Sequence, residues 1–210
     1  MGITIALSDI GKKYGREWIF RHLTTTIAAG DRLVIRGGNG SGKSTLLQLL
    51  SGYVVPNEGK VNYMLDGKEI SESTIHQHMA LASPYLQLIE DFTLDEMVEH
   101  VMELKPLVTG TDIQQFAEFA ELTHARNKFI RLYSSGMKQR LKLALAILSQ
   151  APLLLLDEPI SNLDKNAIAW YKALLTAHAH NRTLVVSSND IADEHFLCTR
   201  ELVVTEFKRL

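Results

Sequence analysis

The chain has 210 residues, 46% of them hydrophobic, enough to bury one substantial core without plainly requiring two full domains. Its formal net charge is −2 and no Lys/Arg block stands out, so the positive field that draws nucleic acid is missing and no nucleic-acid partner is expected. A single cysteine, Cys198, excludes an internal disulfide, and the opening Met-Gly-Ile-Thr-Ile-Ala lacks the basic and long apolar regions of a signal peptide, so a cytosolic protein is expected.

Short β-prone runs open the chain: Thr4 to Leu7, Trp18 to Phe20 and Thr24 to Ile27, with Val61 to Met64 further on, separated by Gly, Asp and Asn turns. Between them, Arg32-Leu-Val-Ile-Arg36 leads into Gly-Gly-Asn-Gly-Ser-Gly-Lys-Ser, residues 37 to 44, a match to the phosphate-binding pattern G-x-x-x-x-G-K-[ST]. Only a glycine-rich path lets main-chain N–H groups close around the crowded charge of a nucleotide's β- and γ-phosphates. Lys43 adds a mobile cation, and Ser44 can place its hydroxyl on Mg²⁺. Thr45 to Leu50 continues as a helix whose N-terminus turns its partial positive charge to the phosphates, until Gly52 stops it. The candidate contacts are Gly37, Asn39, Gly40, Ser41, Gly42, Lys43, Ser44 and Thr45. A glycine turn before an amphipathic helix, with Lys43 merely solvated, is the plainer reading; the strand-loop-helix setting favours phosphate binding.

The middle of the chain is predicted to be helical. Thr93-Leu-Asp-Glu96 and Thr111-Asp-Ile-Gln114 both fit a capping box, and each opens an apolar helical pattern, Leu94, Met97, Val98 and Val101 in one case, Ile113, Phe116, Ala117 and Ala120 in the other. Tyr133-Ser-Ser-Gly-Met-Lys-Gln-Arg140 then precedes a helix through Leu141, Ala144, Leu145 and Leu148. A Ser hydroxyl and free amides at a helix start make a second anion site. Read alone, the segment is better taken as an N-capped amphipathic helix with solvated Lys138 and Arg140; its order and spacing among the other motifs reverse that.

The apolar run Leu153-Leu-Leu-Leu156 ends in Asp157-Glu158-Pro159. A buried strand emerging beside a phosphate loop can deliver one carboxylate to a Mg²⁺ shell, here Asp157, and a second, Glu158, to an attacking water, the two tasks that phosphoryl transfer requires. A helical stretch from Leu163 to His178 and the strand Thr183-Leu-Val-Val186 follow. Alternation of fully apolar strands with a helix implies a covered parallel sheet. The most apolar stretch, Leu143 to Leu156, is interrupted by Ser149, Gln150 and Pro152 and is too short to cross a bilayer of roughly 30 Å as one helix. His76/His78 and His178/His180 read as surface histidines, and Cys198 as a small buried residue.

In the order phosphate loop, helical insert, Tyr133 to Arg140, acidic strand, then Ser161-Asn-Leu-Asp164, the whole chain resembles the ATP-binding cassette (ABC) ATPases, whose signature Leu-Ser-Gly-Gly-Gln opens a helix in the same place. Tyr133 replaces the signature's Leu, Ser135 its first Gly and Met137 its Gln, while Ser134 and Gly136 remain; Ser161 to Asp164 looks like the family's D-loop. The resemblance implies an α/β fold, a P-loop NTPase (RecA-like) core with an N-terminal antiparallel β subdomain and an inserted α-helical subdomain. It implies one nucleotide-binding domain over 1–210, with 1–92 as β subdomain and phosphate-loop core, 93–135 as helical insert and 136–210 as the rest of the core. MgATP is the implied ligand. Two chains, identical or not, would sandwich two ATP molecules, Ser134 and Gly136 of one facing the γ-phosphate held by the other.

The resemblance also gives Tyr14 the place of an aromatic that stacks on adenine, and the polar turn Lys12-Lys-Tyr-Gly15 suits that role better than a core position. Two positions depart from the family pattern. Pro84 stands where a Gln that senses Mg²⁺ and contacts the membrane partner is usual, with Gln87 three residues late, and Asn189 stands where a switch His is expected. An amide can donate to a γ-phosphate oxygen but cannot take up a proton, so slow turnover is expected. The reading that results is the ATPase subunit of a transporter, with Glu158 and Asn189 as catalytic residues and Ser44 and Asp157 on the metal, working with a separate transmembrane permease and lying on the cytoplasmic face of the inner membrane through that partner. A soluble or regulatory ABC ATPase with weak hydrolysis and a P-loop phosphotransferase are the alternatives.

Overall fold

The computed structural model describes residues 2–208. The chain divides into two compact units, one built from residues up to Leu81, Pro152–Glu158 and the segment from Asn181 onward, the other from Ala82–Ala151 and Pro159–His180.

The first unit holds two sheets. Strands β1 (Ile3–Tyr14), β2 (Glu17–Ile27), β4 (Glu58–Leu65) and β5 (Lys68–Ile70) form an antiparallel sheet in the order β2-β1-β4-β5. The two β-prone runs at Trp18 and Thr24 are one strand, not two. His22, at φ 59°, interrupts its alternation, and the register with β1 slips on either side of Ile10, so the irregularity is absorbed as bulges rather than as a turn.

The second sheet has the order β6-β7-β8-β3-β9, from β3 (Arg32–Arg36), β6 (Met79–Ala82), β7 (Leu153–Asp157), β8 (Thr183–Ser188) and β9 (Arg200–Val203). Strand β8 runs parallel to both β3 and β7, and β3 parallel to β9. Every residue of β7 and β8 is buried, as their uninterrupted apolar sequences require. Helix α1 (Lys43–Leu50) sends Leu46, Leu47, Leu49 and Leu50 into a core shared with Ile3, Ile5 and Phe20 of the first sheet and Leu33, Ile35, Leu155 and Val185 of the second. Each such side chain contributes roughly 1.5–3 kcal/mol by leaving water. Thr183 joins the sheets through polar contacts: its Oγ1 accepts from Ile3 N at 3.0 Å and Gly30 N at 3.1 Å and donates to Ile3 O at 2.8 Å.

The second unit is helical: α2 (Leu94–Leu104), α3 (Ile113–Phe119), α4 (Ser135–Ile147) and α5 (Lys165–His178). The capping box of α2 is formed by Thr93 and Glu96 as predicted. For α3 the cap moves one residue: Asp112, not Thr111, accepts from Gln115 N at 2.7 Å, and Gln115 reaches back to Asp112 N. Asp outcompetes Thr there because its carboxylate is the stronger acceptor for helix N–H groups and also carries charge suited to the positive helix end. Trp170 of α5 donates its Nε1–H to Phe119 O at 2.6 Å, and Arg140 of α4 lies over the Trp170 ring, 5.2 Å from its centre, while pairing with Glu121. His178 packs edge-on against Phe119.

Candidate functional site

Strand β3 delivers the chain to the loop 37–42, and α1 begins at its far end. Gly42 caps the helix at φ 104°, a left-handed conformation that suits glycine. A Cβ there would lie 2.4 Å from Ile19 Cγ2, and one on Gly37 would lie 2.4 Å from Ser41 Oγ. The loop is therefore a fitted cradle with no room for side chains at these two points. Ser41 Oγ is buried within it and has no hydrogen-bond partner among the described residues. An orphaned hydroxyl, free amides at the start of α1 and a bare main chain together suit a bound polyphosphate.

Lys43 is almost wholly buried, at 4% exposure. Its ammonium donates to Gly38 O at 3.1 Å and to Asn189 Oδ1 at 2.7 Å, and it lies 3.8 Å from Glu158 Oε1. Asn189 completes the triangle, its Nδ2 donating to Glu158 Oε1 at 2.8 Å. Only this orientation of the amide satisfies both neighbours, since an ammonium has no acceptor and a carboxylate no donor. Glu158 comes off β7 at φ 44°, a left-handed backbone unusual outside glycine, with its N–H held by Ser187 O at 3.1 Å.

Asp157, one residue earlier, is 3% exposed. Its Oδ1 accepts from Ser44 Oγ at 3.1 Å and from the Ser187 hydroxyl. The Asp157 carboxylate and Ser44 hydroxyl are hard oxygen donors of the kind Mg²⁺ takes, usually alongside water and phosphate oxygens. Ser187 was not singled out from the sequence; its contact with Asp157 arises because β7 and β8 pair Asp157 with Ser187, a register that no local pattern encodes. Tyr14, at the end of β1, is 51% exposed, with Lys12 Nζ 5.1 Å from its ring centre.

The second unit carries the Tyr133–Arg140 segment. Tyr133 is buried and donates to Ala125 O at 3.0 Å, an anchor that a Leu at this position could not supply. Ser134 and Ser135 are exposed, and Ser134 caps α4 by accepting from Met137 N at 3.2 Å. A cleft of about 540 Å³ opens there, lined among others by Ser134, Gly136, Met137, Arg140, Asn162 and Asp164. A Cβ on Gly136 would lie 3.4 Å from Asn162 O, so the Ser161–Asp164 loop presses close to the helix start. Asn162 holds φ 63°, and Asp164 caps α5 through Ala167 N at 2.8 Å. Pro84 O and Ser83 O accept from Lys142 Nζ of α4 at 2.8 and 3.4 Å, while Gln87 is exposed. That lysine contact, between residues 58 apart, is another that the sequence did not disclose. Cys198 is partly buried, and burial pushes its thiol up to about 12.

The family model for ABC transporter matches residues 20–161. The cytochrome c biogenesis ATP-binding export protein CcmA of Pseudomonas putida is 34% identical over 88% of this chain and 89% of its own. The Nod factor export ATP-binding protein I of Rhizobium johnstonii is 29% identical over 99% of this chain and 68% of its own. Among solved structures, an ABC transporter ATP-binding protein from Pyrococcus furiosus superposes with TM-score 0.80 at 21% identity, covering 98% of this chain and 100% of that one. A bacterial ABC transporter cassette solved as a dimer does so with TM-score 0.80 at 25% identity, covering 98% and 97%.

Proposed function

The chain belongs to the ABC transporter ATP-binding family, and on that premise we propose that it hydrolyses MgATP in a head-to-tail pair of such cassettes and drives a separate membrane permease. The observation that carries this reading is the Lys43–Asn189–Glu158 triangle beside the fitted loop 37–44. Main-chain N–H groups of the loop and Lys43 hold the β- and γ-phosphates, Tyr14 stacks on the base, and Ser44 and Asp157 are the residues that would hold Mg²⁺. The metal, when bound, neutralises charge that develops on the transferred group. Glu158 orients and polarises the water that attacks the γ-phosphorus as the bond to the ADP oxygen breaks. Asn189 donates to a γ-phosphate oxygen, but its amide takes no proton, and this supports slow turnover.

Ser134 and Gly136 supply the second half of each site by facing the nucleotide bound to the other copy; the exposure of Ser134 at a helix start is what supports this. No helix among the described residues is long and apolar enough to cross a membrane, which suits a peripheral subunit placed by its partner. A second reading, a regulatory cassette that binds ATP and hydrolyses little, draws on Asn189 and on Pro84, whose ring offers no side-chain amide. Steady-state phosphate release by the purified protein separates the two. The proposal expects measurable turnover that falls at least about a hundredfold in Glu158→Gln with ATP affinity retained. Wild-type release equal to that of Glu158→Gln would leave the regulatory reading standing.

A further inference from the structure

Behind Asn189 lies a carboxyl group that none of these roles employs. Glu194 is 1% exposed, and with Asp157 it is one of two fully buried acidic side chains among the described residues. Its Oε2 accepts from Ser188 Oγ at 2.5 Å, and a hydrogen bond with the Asn189 main chain favours its charged form. Ser188 Oγ accepts in turn from Ile191 N at 3.1 Å, and Glu194 N donates to Ile191 O at 2.9 Å. The turn from Ser188 to Glu194 is thus closed on itself, and the carboxyl group is the piece that gathers its strands. Asn189, at the tip of this turn, directs one end of its amide to Glu158 and the other to Lys43.

An acidic side chain withdrawn from water is a poor structural filler, since burial opposes its charged form unless it serves neighbours that need an acceptor. Here burial pushes the carboxyl up to about 7, the charge of Glu158 adds to that, and the Ser188 hydroxyl, the Asn189 main chain and the Lys43 ammonium oppose it. Glu194 therefore feels the charges of Lys43 and Glu158 and bonds to the main chain that carries Asn189. A leucine would fill much of the same space at lower cost in desolvation, but would hold neither Ser188 nor Asn189.

We propose that Glu194 is a positioning residue of the ATPase site, fixing the main chain at Ser188 and Asn189 so that the Asn189 amide is aimed at Glu158 and at the γ-phosphate. This rests on the ATPase reading above. Glu194 touches no substrate; it acts through Asn189. Misplacement of a reacting group by about 1 Å lowers turnover steeply while leaving ground-state binding largely alone.

The test compares wild type, Glu194→Gln and Ser188→Ala in the full chain. All three are assayed at about pH 8.5, above the Glu194 titration, where the ionised carboxylate accepts from Ser188 and the Asn189 main chain; Glu194→Gln keeps the volume but exchanges one acceptor oxygen for an amide donor, and Ser188→Ala removes one of the two donors. Two readouts are taken: kcat and KM for MgATP, and amide hydrogen exchange over residues 188–191 in the absence of nucleotide. Glu194→Gln is expected to lower kcat about tenfold with KM within about twofold, and to speed exchange across the turn by a similar factor; Ser188→Ala shifts both in the same sense by less. Unchanged exchange in Glu194→Gln overturns the inference whether or not the protein hydrolyses ATP, as does a wild-type kcat. Absence of turnover in wild type, with exchange altered in Glu194→Gln, would count against the ATPase reading and leave the anchoring of Asn189 intact.

Discussion

Asn189 Nδ2 donates to Glu158 Oε1 at 2.8 Å, so the residue standing where a histidine was expected engages the carboxylate that would polarise water. The same amide accepts from Lys43 at 2.7 Å, leaving that ammonium tied to a side chain before any phosphate arrives. On the proposed reading, bound nucleotide would draw Lys43 away from Asn189 Oδ1 and leave the Asn189 amide to a γ-phosphate oxygen.

Replacing Asn189 by His introduces a group that donates to a γ-phosphate oxygen and can also hold a proton near neutral pH. Steady-state phosphate release should rise, by up to about a hundredfold if the imidazole is placed as an acid–base group, with ATP affinity similar to wild type. Asn189→Ala should lower it. A rate in Asn189→His equal to or below wild type counts against the alignment of this turn with the family's switch.

The loop has no tolerance at Gly42. Alanine there must hold φ 104° and place its Cβ 2.4 Å from Ile19 Cγ2. Strain and clash together should destabilise the fold by about 2–3 kcal/mol, and the displaced start of α1 should weaken ATP binding more than tenfold. Chemical denaturation and nucleotide titration of Gly42→Ala measure both. Gly40, at φ 71° but with open space around it, should lose stability from the backbone alone and less of it.

Glu194 gives stability a pH dependence of definite sign. Its carboxyl titrates at about 7 in the fold against an ordinary value of 4.5, so the folded state holds a proton that the unfolded chain has released. The resulting contribution is full below pH 4.5 and is lost as pH rises through 7. Relative to Glu194→Gln, wild type should therefore lose at most about 3 kcal/mol between pH 4.5 and 8, read by denaturant midpoints at the two ends. An identical difference between the two proteins at both pH values contradicts the shifted carboxyl.

Much of this site was legible because its chemistry is local. Gly37 to Ser44 carries its conformation in its glycines, Thr93 and Glu96 cap α2 through a three-residue spacing, and Ser134 announces the start of α4. What escaped lies across the fold. Ser187 meets Asp157 only through strand register, Lys142 reaches Pro84 over 58 residues, and Glu194 is buried by the turn it closes. The cap of α3 escaped for a different reason: Thr111 and Asp112 both fit a capping pattern, and the choice between neighbours depends on acceptor strength rather than on spacing. Likewise β2 reads as two strands because His22 breaks its alternation, whereas pairing with β1 carries the strand through.

The central claim is that a triphosphate held by loop 37–44 of one copy is closed over by the Ser134 helix of another. The direct measurement is the mass of the protein in solution with MgATP, by light scattering after gel filtration, in a Glu158→Gln background that preserves the nucleotide. The account predicts a monomer without nucleotide, a dimer with MgATP, and a monomer that still binds ATP when Ser134→Arg is added. A Ser134→Arg protein that dimerises as readily as its parent, or a Glu158→Gln protein that stays monomeric at saturating MgATP, would contradict it.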